Sequence, residues 1–277
     1  MRTALRVLTV AGACIIPMLA QEGSKPAPVL SIGREFIKEG KGAAHEKTET
    51  EFVTAFRKAQ YPGYYVAAAS LSGPSEVWFI EPLASFAAYE KLEEFADKDP
   101  LKSTLGMVDE RDGELRETTR YVWAMLRPDL SYGVERFNPA KTRFLAAEII
   151  RAKLGKEDSF EEGVKAYFAG HAKAKVDRCV LGYQVTAGLP AGTYLFFSMM
   201  DSMKVLDGSA ERMKAITEAM GPEAFGKLMH GTGDVITSID NILLEVKPGM
   251  SYPPPKLVEA DPEFWGPKPA GDKKPGE

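Results

Sequence analysis

The sequence predicts an α+β fold built from two copies of one unit with the element order β-α-β-β-α-β. Residues 121–132 (Tyr-Val-Trp-Ala-Met-Leu-Arg-Pro-Asp-Leu-Ser-Tyr) return 120 positions later as residues 241–252 (Asn-Ile-Leu-Leu-Glu-Val-Lys-Pro-Gly-Met-Ser-Tyr). The segments before each of these stretches also follow the same order of strand and helix periodicity. A repeat of this length indicates two compact units rather than an array of short repeats.

In the first copy, alternating and helical apolar patterns predict the elements directly. They are a strand over 29–37, a helix over 40–59, strands over 64–71 and 76–80, helical segments over 85–97 and 101–117, and a strand over 119–126. The two inner strands flank Ser-Gly-Pro-Ser at 72–75, which is the composition of a hairpin turn.

The second copy repeats this order. Its elements are a strand over 144–151, a helix over 158–175, strands over 180–186 and 193–198, interrupted helical segments over 201–229, and a strand over 239–246. The first helices of the two copies align at an offset of 115, which pairs His45 with Phe160 and Glu49 with Val164 on one helix face. Both copies therefore keep the same buried stripe with different residues on it.

The first 20 residues have the composition of a secretory signal peptide. Arg2 and Arg6 precede an apolar stretch that is too short to span a bilayer, and cleavage after Ala20 would leave a polar start. We therefore expect an exported chain, periplasmic or secreted, with lipid anchoring at Cys14 as the alternative. Cys179 is then the one remaining cysteine, so no intramolecular disulfide can form, and its place before an apolar strand predicts a buried side chain.

Composition predicts the domain boundaries and limits the classes of binding partner. We expect a signal segment at 1–20, a linker at 21–28, the first copy at 29–137, the second at 138–252, and a disordered tail rich in Pro, Gly and Lys at 253–277. In this tail Phe264 and Trp265 could dock on the body or contact a partner. The net charge of −4 argues against a nucleic-acid partner. We expect a small-molecule ligand, no transmembrane segment in the mature chain, and a monomer or a homodimer.

The stretch 71–80 (Leu-Ser-Gly-Pro-Ser-Glu-Val-Trp-Phe-Ile), followed by 85–90 (Ser-Phe-Ala-Ala-Tyr-Glu), resembles bacterial members of the NIPSNAP and antibiotic-biosynthesis-monooxygenase-like groups. Together with the duplicated element order, residues 29–252 resemble the ferredoxin-like dimeric α/β-barrel superfamily in a tandem, single-chain form. The resemblance implies two antiparallel four-stranded sheets that face one another, enclose a cavity and carry helices outside. It also implies several activities, among them cofactor-free oxygenation and haem chemistry, so it does not select one.

Residues on the strand faces are the candidate ligand contacts, because alternate strand residues would point into a cavity between the sheets. The ligand-binding candidates are Arg34, Tyr65, Trp78, Tyr121, Trp123, Tyr183, Gln184 and Asn241. Further strand candidates are Glu35, Glu148 and Tyr194. A one-residue error in phase would turn each of them outward. The two copies differ at several of these positions, which suits one asymmetric pocket and equally suits neutral repacking.

His45 and His230 are the candidate catalytic residues. His45 and Glu49 are spaced i, i+4 in His-Glu-Lys-Thr-Glu, which approaches the zinc pattern H-E-x-x-H with Glu in place of the second His. A metal there would need a further ligand from elsewhere, and the alternative is a packed His with an i+4 partner. His230, in a predicted loop with two glycines, could be a base or a haem ligand, or could simply end a helix. We predict no metal site; no motif requires a cofactor, and haem stays open.

Three hypotheses for function follow. The first is an exported barrel protein that binds a small, largely apolar ligand in the cavity between the two sheets. The second is a cofactor-free monooxygenase or haem-handling enzyme of the same superfamily that uses the same cavity. The third is an interaction protein whose Pro-rich tail recruits a partner. The sequence leaves open whether the protein is an enzyme.

Overall fold

The computed structural model describes residues 25–267, which form an eight-stranded antiparallel barrel with helices packed around it. The first copy consists of β1 (Val29–Ile37), α1 (Gly42–Ala59), β2 (Val66–Ser70), β3 (Glu76–Leu83), α2 (Phe86–Ala96), α3 (Leu101–Gly113) and β4 (Arg116–Leu126). The second copy consists of β5 (Phe144–Ala152), α4 (Glu157–Lys173), β6 (Val180–Ala187), β7 (Thr193–Met200), α5 (Ser209–Met220), α6 (Pro222–Val235) and β8 (Ile236–Val246). The predicted signal segment, Cys14 included, lies outside the described residues.

The strands close into one barrel in the order β1-β3-β2-β8-β5-β7-β6-β4. Each copy supplies four neighbouring strands, and the two halves join edge to edge where β2 pairs with β8 and β4 pairs with β6. All pairings are antiparallel. The predicted α+β fold with two β-α-β-β-α-β copies in a single-chain barrel is thus confirmed.

The barrel interior is a packed apolar core. Alternate residues of every strand point inward, such as Leu30 and Ile32 on β1 and Ile242 and Leu244 on β8. Their neighbours point outward and meet the helices, because successive side chains of a strand lie on opposite faces. Two layers result: an apolar core inside the barrel, and the helices packed on its outer surface.

Two element boundaries differ from the sequence prediction and matter for the site. The helix predicted to reach residue 117 ends at Gly113, and Arg116 begins β4. Helix α6 continues through Gly231 and Gly233, where a loop was expected. Packing of α6 against α4 holds the helix across these glycines, although glycine weakens a helix interior by about 1 kcal/mol.

The tail predicted to be disordered from residue 253 is folded as far as residue 267, so that prediction is wrong for this part. Helices α7 (Pro255–Ala260) and α8 (Pro262–Trp265) lie against the body. Trp265 is buried, and its indole Nε1 donates a hydrogen bond to the backbone oxygen of Ala140 at 2.9 Å. Leu257 is buried in the same cluster and the Asp261 carboxylate contacts Lys141, so several contacts hold this segment against the body.

Over residues 25–267, none of the helices combines the length and the apolar character needed to cross a membrane.

Candidate functional site

The larger cavity lies outside the barrel, between the outer face of the first copy's strands and helices α1, α2 and α3. Its volume is about 480 Å³. The lining residues come from the outward positions of β1, β3 and β4 and from the facing helix surfaces. They are Ser31, Gly33, Glu35, Glu49, Phe52, Phe56, Tyr61, Tyr65, Phe79, Glu81, Tyr89, Glu93, Asp109, Arg116, Tyr121 and Trp123. We call this space the outer cavity.

Aromatic rings form much of the wall of the outer cavity. Tyr89 stands edge-on to Trp123 with the ring centroids 4.7 Å apart, and Tyr65 lies between Phe56 and Phe79 at 5.9 Å from each. Edge-to-face packing of this kind fixes the rings against each other. The wall therefore offers flat apolar surfaces of fixed orientation to a ligand.

Gly33 leaves the floor of the outer cavity open. It lies on β1 opposite Phe79 on one side and Tyr121 on the other. A Cβ atom added there would lie 3.6 Å from the Tyr121 ring, so the strand could carry a larger side chain that enters the cavity. The equivalent residue of the second copy, by its pairing with Phe196 and Asn241, is Glu148.

A buried polar cluster lies at one end of the outer cavity, where β1, α1, α3 and the start of β4 meet. Its members are Glu35, His45, Glu49, Asp112 and Arg116. The Arg116 guanidinium contacts the Glu35 Oε1 atom at 2.6 Å and the Asp112 Oδ2 atom at 3.1 Å, and His45 Nδ1 lies 2.8 Å from Asp112 Oδ1. We call this group the acidic cluster.

In the acidic cluster, burial and neighbouring charges shift the pKa values of the carboxyl groups. Burial raises the pKa of Glu35, although Arg116 opposes the shift. Burial and the neighbouring carboxylates of Glu35 and Asp112 raise the pKa of Glu49 well above its ordinary value. Despite desolvation, hydrogen bonds from His45 and Thr48 and the charge of Arg116 keep the pKa of Asp112 below its usual range. Perturbed pKa values gathered in a cavity are a physical mark of a functional site.

Glu81 is another ionisable residue that lines the outer cavity. It lies on β3, apart from the acidic cluster. Burial, with a further contribution from the charge of Glu93, raises its pKa to about 7. A carboxyl group with a pKa near neutrality can either donate or accept a hydrogen bond and can exchange a proton with a ligand.

The second copy carries apolar residues where the first copy has the acidic cluster. Strand pairing makes Ile150 the equivalent of Glu35 and Ile236 the equivalent of Arg116. Phe160 occupies the place of His45. The backbone N–H of each donates a hydrogen bond to the backbone oxygen of the lysine before its helix, Lys156 and Lys41 respectively. With Val164 in the place of Glu49, these four residues belong to one hydrophobic cluster. The fold therefore does not need polar groups at this position.

A smaller cavity of about 140 Å³ lies at one end of the barrel interior and is covered by the C-terminal helices. Its lining is almost wholly apolar and includes Leu30, Phe197, Leu257 and Trp265, with the Tyr183 ring beside them. The Tyr183 hydroxyl donates to the backbone oxygen of Ala27 at 3.1 Å.

The structure divides the strand candidates between the two faces of the barrel. Tyr65, Tyr121 and Trp123 line the outer cavity, and Tyr183 and also Tyr65 line the smaller interior one. The apolar cavity expected between the two sheets corresponds to the smaller cavity inside the barrel, whereas the outer cavity was not expected from the sequence. Glu35 points outward into the acidic cluster.

Arg34 and Trp78 face the barrel interior but line neither cavity described here. Arg34 makes two hydrogen bonds to the Glu76 carboxylate, at 2.9 and 3.0 Å, and its guanidinium carbon lies 4.5 Å from the centroid of the Trp78 ring. The pairing with Glu76 accounts for Arg34, whereas the buried Trp78 Nε1 atom has no hydrogen-bond partner among the described residues.

The remaining candidates lie away from the outer cavity. Gln184 accepts a hydrogen bond from Arg127, Asn241 is exposed on β8, and Tyr194 donates to Glu161. His230 is exposed on α6, where its Nδ1 atom contacts the backbone oxygen of Gly226 at 2.7 Å. Glu148 is half-buried on the outer face of the second copy, and burial raises its pKa.

Sequence reasoning identified His45 and Glu49 as an i, i+4 pair and Glu35 separately as a strand candidate, but missed Asp112, Arg116 and Glu81. Asp112 is 67 positions from His45, so local spacing could not bring the two together. The available signal was the offset of the copies, which sets Glu35, His45 and Glu49 against three apolar residues of the second copy. Polar residues at positions where the other copy has apolar residues are candidates for a functional site.

The outer cavity does not suit haem. Its lining carries five carboxyl groups, from Glu35, Glu49, Glu81, Glu93 and Asp109, and one guanidinium group, from Arg116. The two propionates of haem would find one cation among these lining residues, and Arg116 is already paired with Glu35 and Asp112. His45, the histidine nearest the cavity, faces Glu35 at 3.5 Å rather than an open axial position.

A barrel of duplicated β-α-β-β-α-β units with a cavity beneath its outer helices belongs to the dimeric α/β-barrel class of folds. No family model and no curated protein matches the sequence. Among solved structures, the chain is similar to a proposed monooxygenase from Fusobacterium nucleatum (13% identity, covering 80% of this chain and 93% of the other, TM-score 0.52). It is also similar to a proposed monooxygenase from Lactobacillus acidophilus (10% identity, covering 79% of this chain and 94% of the other, TM-score 0.50). A mutant chlorite dismutase from Candidatus Nitrospira defluvii is similar too (8% identity, covering 86% of this chain and 98% of the other, TM-score 0.50). These likenesses show the fold alone; membership of the NIPSNAP group stays a prediction.

Proposed function

We propose that this protein binds a small aromatic molecule with a hydroxyl or other hydrogen-bond donor in the outer cavity of its first copy. The observation that carries the proposal is the lining of that cavity. Rigid aromatic rings such as Trp123 and Tyr89 suit a flat apolar body, and Glu81, Glu93 and the acidic cluster suit donors at its edge. The smaller cavity inside the barrel has room only for a ligand about the size of benzene and has few groups to orient it.

The test uses 2-naphthol as the probe and a variant that fills the cavity floor. Gly33→Leu places a side chain in the outer cavity on a strand that tolerates one, and we expect it to weaken 2-naphthol binding at least about tenfold, which corresponds to 1.4 kcal/mol. The matched control is Glu148→Leu at the equivalent place of the second copy, which should leave binding unchanged. Equal binding by all three proteins in isothermal titration calorimetry would disprove this location.

A second candidate function is oxidation of the bound ring by dioxygen. Buried ionisable groups with shifted pKa values favour chemistry over simple storage, and two of the similar structures are proposed monooxygenases. In such a step a ring methylene becomes a carbonyl, one oxygen atom of O₂ enters the product, and the other leaves as water with the two hydrogens of the substrate. Oxygen uptake with anthrone as substrate, lost in Gly33→Leu and kept in Glu148→Leu, would support this reaction. No uptake above the buffer rate would exclude it for this substrate.

A further inference from the structure

His45 is held in the orientation of a metal-binding histidine. Its Nδ1 atom lies 2.8 Å from the Asp112 carboxylate, which in turn accepts hydrogen bonds from Thr48 and contacts Arg116. Its Nε2 atom is buried and has no hydrogen-bond partner in the described part of the chain. Histidines that bind metals commonly donate the other ring N–H to a carboxylate, which fixes the ring and leaves Nε2 free.

Carboxylate oxygens of Glu35 and Glu49 belong to the same cluster as this histidine. The Glu35 Oε2 atom, itself without a hydrogen bond within residues 25–267, lies 3.5 Å from His45 Nε2. One potential ligand atom from each of Glu35, His45, Glu49 and Asp112 lies within 4.8 Å of the others. Metal–ligand bonds of about 2.0–2.2 Å place neighbouring ligands of a tetrahedral ion about 3.3 Å apart, which is close to the 3.5 Å between Glu35 Oε2 and His45 Nε2.

We propose that His45 Nε2, Glu35 Oε2 and the Glu49 carboxylate bind one divalent first-row transition-metal ion. Asp112 positions the imidazole, and Arg116 positions Glu35 through its other oxygen. Three carboxylates and one guanidinium give this group two net negative charges when Glu49 is ionised, and a divalent ion balances them. Mixed nitrogen and oxygen ligands suit Zn²⁺, Mn²⁺ or Fe²⁺ rather than Mg²⁺ or Ca²⁺, which prefer oxygen alone.

The second copy shows that folding does not explain these groups. It fills the same place with Ile150, Phe160 and Val164, and burying charges usually costs more than replacing them with apolar residues of similar size. The buried polar groups of the first copy are therefore best explained by a bound ligand that offsets the cost of burying them. Glu35 and Glu49 also line the outer cavity, which gives an ion a path of entry and leaves a coordination position open towards a bound molecule.

This inference rests on the proposed function in one respect only, since it places the ion at the end of the cavity that would hold the aromatic ligand. The experiment therefore measures the metal alone. The full chain, freed of metal by chelation, is dialysed against Zn²⁺, Mn²⁺ or Mg²⁺, and the metal bound per chain is measured by mass spectrometry. We expect one Zn²⁺ or Mn²⁺ per chain and none of Mg²⁺. Co²⁺ should give the visible absorption of an ion with a nitrogen ligand.

The variants take their residues from the second copy. Glu35→Ile, His45→Phe and Glu49→Val together should remove binding, and the isosteric Glu49→Gln alone should weaken it without changing the packing. Asp112→Asn should weaken it about 10- to 100-fold, as expected for a group that orients a ligand. The matched control is His171→Phe, since His171 is the buried histidine of the second copy and contacts the Tyr167 backbone rather than a carboxylate.

The outcomes separate the two proposals. One ion retained by the parent and by His171→Phe, lost in the triple variant and bound more weakly by Glu49→Gln, supports the metal site. Metal at the same level in the triple variant, or none in the parent, overturns it and leaves His45 as a buried group shared by two carboxylates. Loss of 2-naphthol binding in Gly33→Leu is independent of both results, so failure of the aromatic site and failure of the metal site remain distinguishable.

Discussion

At the scale of single residues, the protein buries ionisable groups in two different arrangements. The guanidinium of Arg34 is paired with Glu76 inside the barrel, and the carboxyl group of Glu81 lies beside Glu93 beneath α2. The first arrangement is a closed pair, whereas the second leaves a carboxyl group facing a cavity. This difference separates a structural pair from a group available for binding.

The pair of Arg34 and Glu76 predicts a large cost when one partner is removed. Glu76→Ala would leave the Arg34 charge buried without a partner, and we expect the free energy of unfolding to fall by about 3–5 kcal/mol in urea denaturation. Glu51→Ala, which breaks the exposed pair with Arg111, should change it by no more than about 1 kcal/mol. Similar losses in both variants would contradict this account.

The pKa of Glu81 predicts a pH dependence of stability. Its folded pKa of about 7 exceeds the ordinary 4.5, so between these values the folded state keeps a proton that the unfolded state has lost. The free energy of unfolding should therefore fall as pH rises through this window, by up to about 3 kcal/mol, and level off above it. Glu81→Gln should lack this contribution when the two proteins are compared by urea denaturation from pH 4 to 9.

Glu93→Gln provides the control for the Glu81 assignment. The charge of Glu93 helps to raise the pKa of Glu81, so its removal should move the Glu81 window to lower pH without abolishing it. Burial also raises the pKa values of Glu35 and Glu49. The free energy of unfolding should therefore still fall with rising pH in the parent and in each variant, because these two groups remain. A parent and a Glu81→Gln protein with the same pH profile would contradict the assignment.

At the scale of elements, the C-terminal helices show how a few contacts order a short segment of polar composition. Helix α8 is only four residues long and depends on the burial of Trp265 beside Ala140, Val246 and Leu257. Arg143 adds a contact over the ring of Phe264 at 3.7 Å. The segment thus covers one end of the barrel although its composition is that of a flexible tail.

Truncation of that tryptophan should loosen the end of the barrel. We expect Trp265→Ala to lower the free energy of unfolding by about 3–5 kcal/mol, because it removes a large buried ring and a hydrogen bond. The exposed residue Leu154 supplies the control, since Leu154→Ala should change the stability little. Protease digestion should then cut the segment after residue 252 faster in Trp265→Ala than in the parent. Unchanged stability would mean that α8 contributes nothing to the body.

At the scale of the whole molecule, duplication supplies what two separate chains would otherwise provide. The pairings of β2 with β8 and of β4 with β6 join the copies and close the barrel. The barrel strands therefore have both neighbours within the chain, and sheet edges are what usually drives strand-to-strand association.

Closure predicts the oligomeric state. We expect the protein to be a monomer in solution, with one chain's mass by light scattering across a wide range of concentrations. A stable dimer at every concentration would show that the outer helices, rather than strand edges, form an interface. The aromatic residue Tyr121 at the rim of the outer cavity would then be the first place to substitute, since its side chain is 64% exposed.

The sequence by itself determined the duplication, the order of the elements and the faces of the helices, because local periodicity and the offset of the copies report these directly. The phase of each strand relative to the core was decided only by the tertiary structure. That phase places Tyr121 and Trp123 outward, where they line the outer cavity, and Trp78 inward.

Tertiary structure alone also assembled the acidic cluster. Glu35, His45, Asp112 and Arg116 come from a strand, two helices and the start of another strand, and they meet because β1 pairs with β4 while α1 packs on α3. Spacing along the chain reports neighbours within one element, such as His45 and Glu49. It carries no information on contacts between residues that are separated by most of a folded unit and joined only by packing.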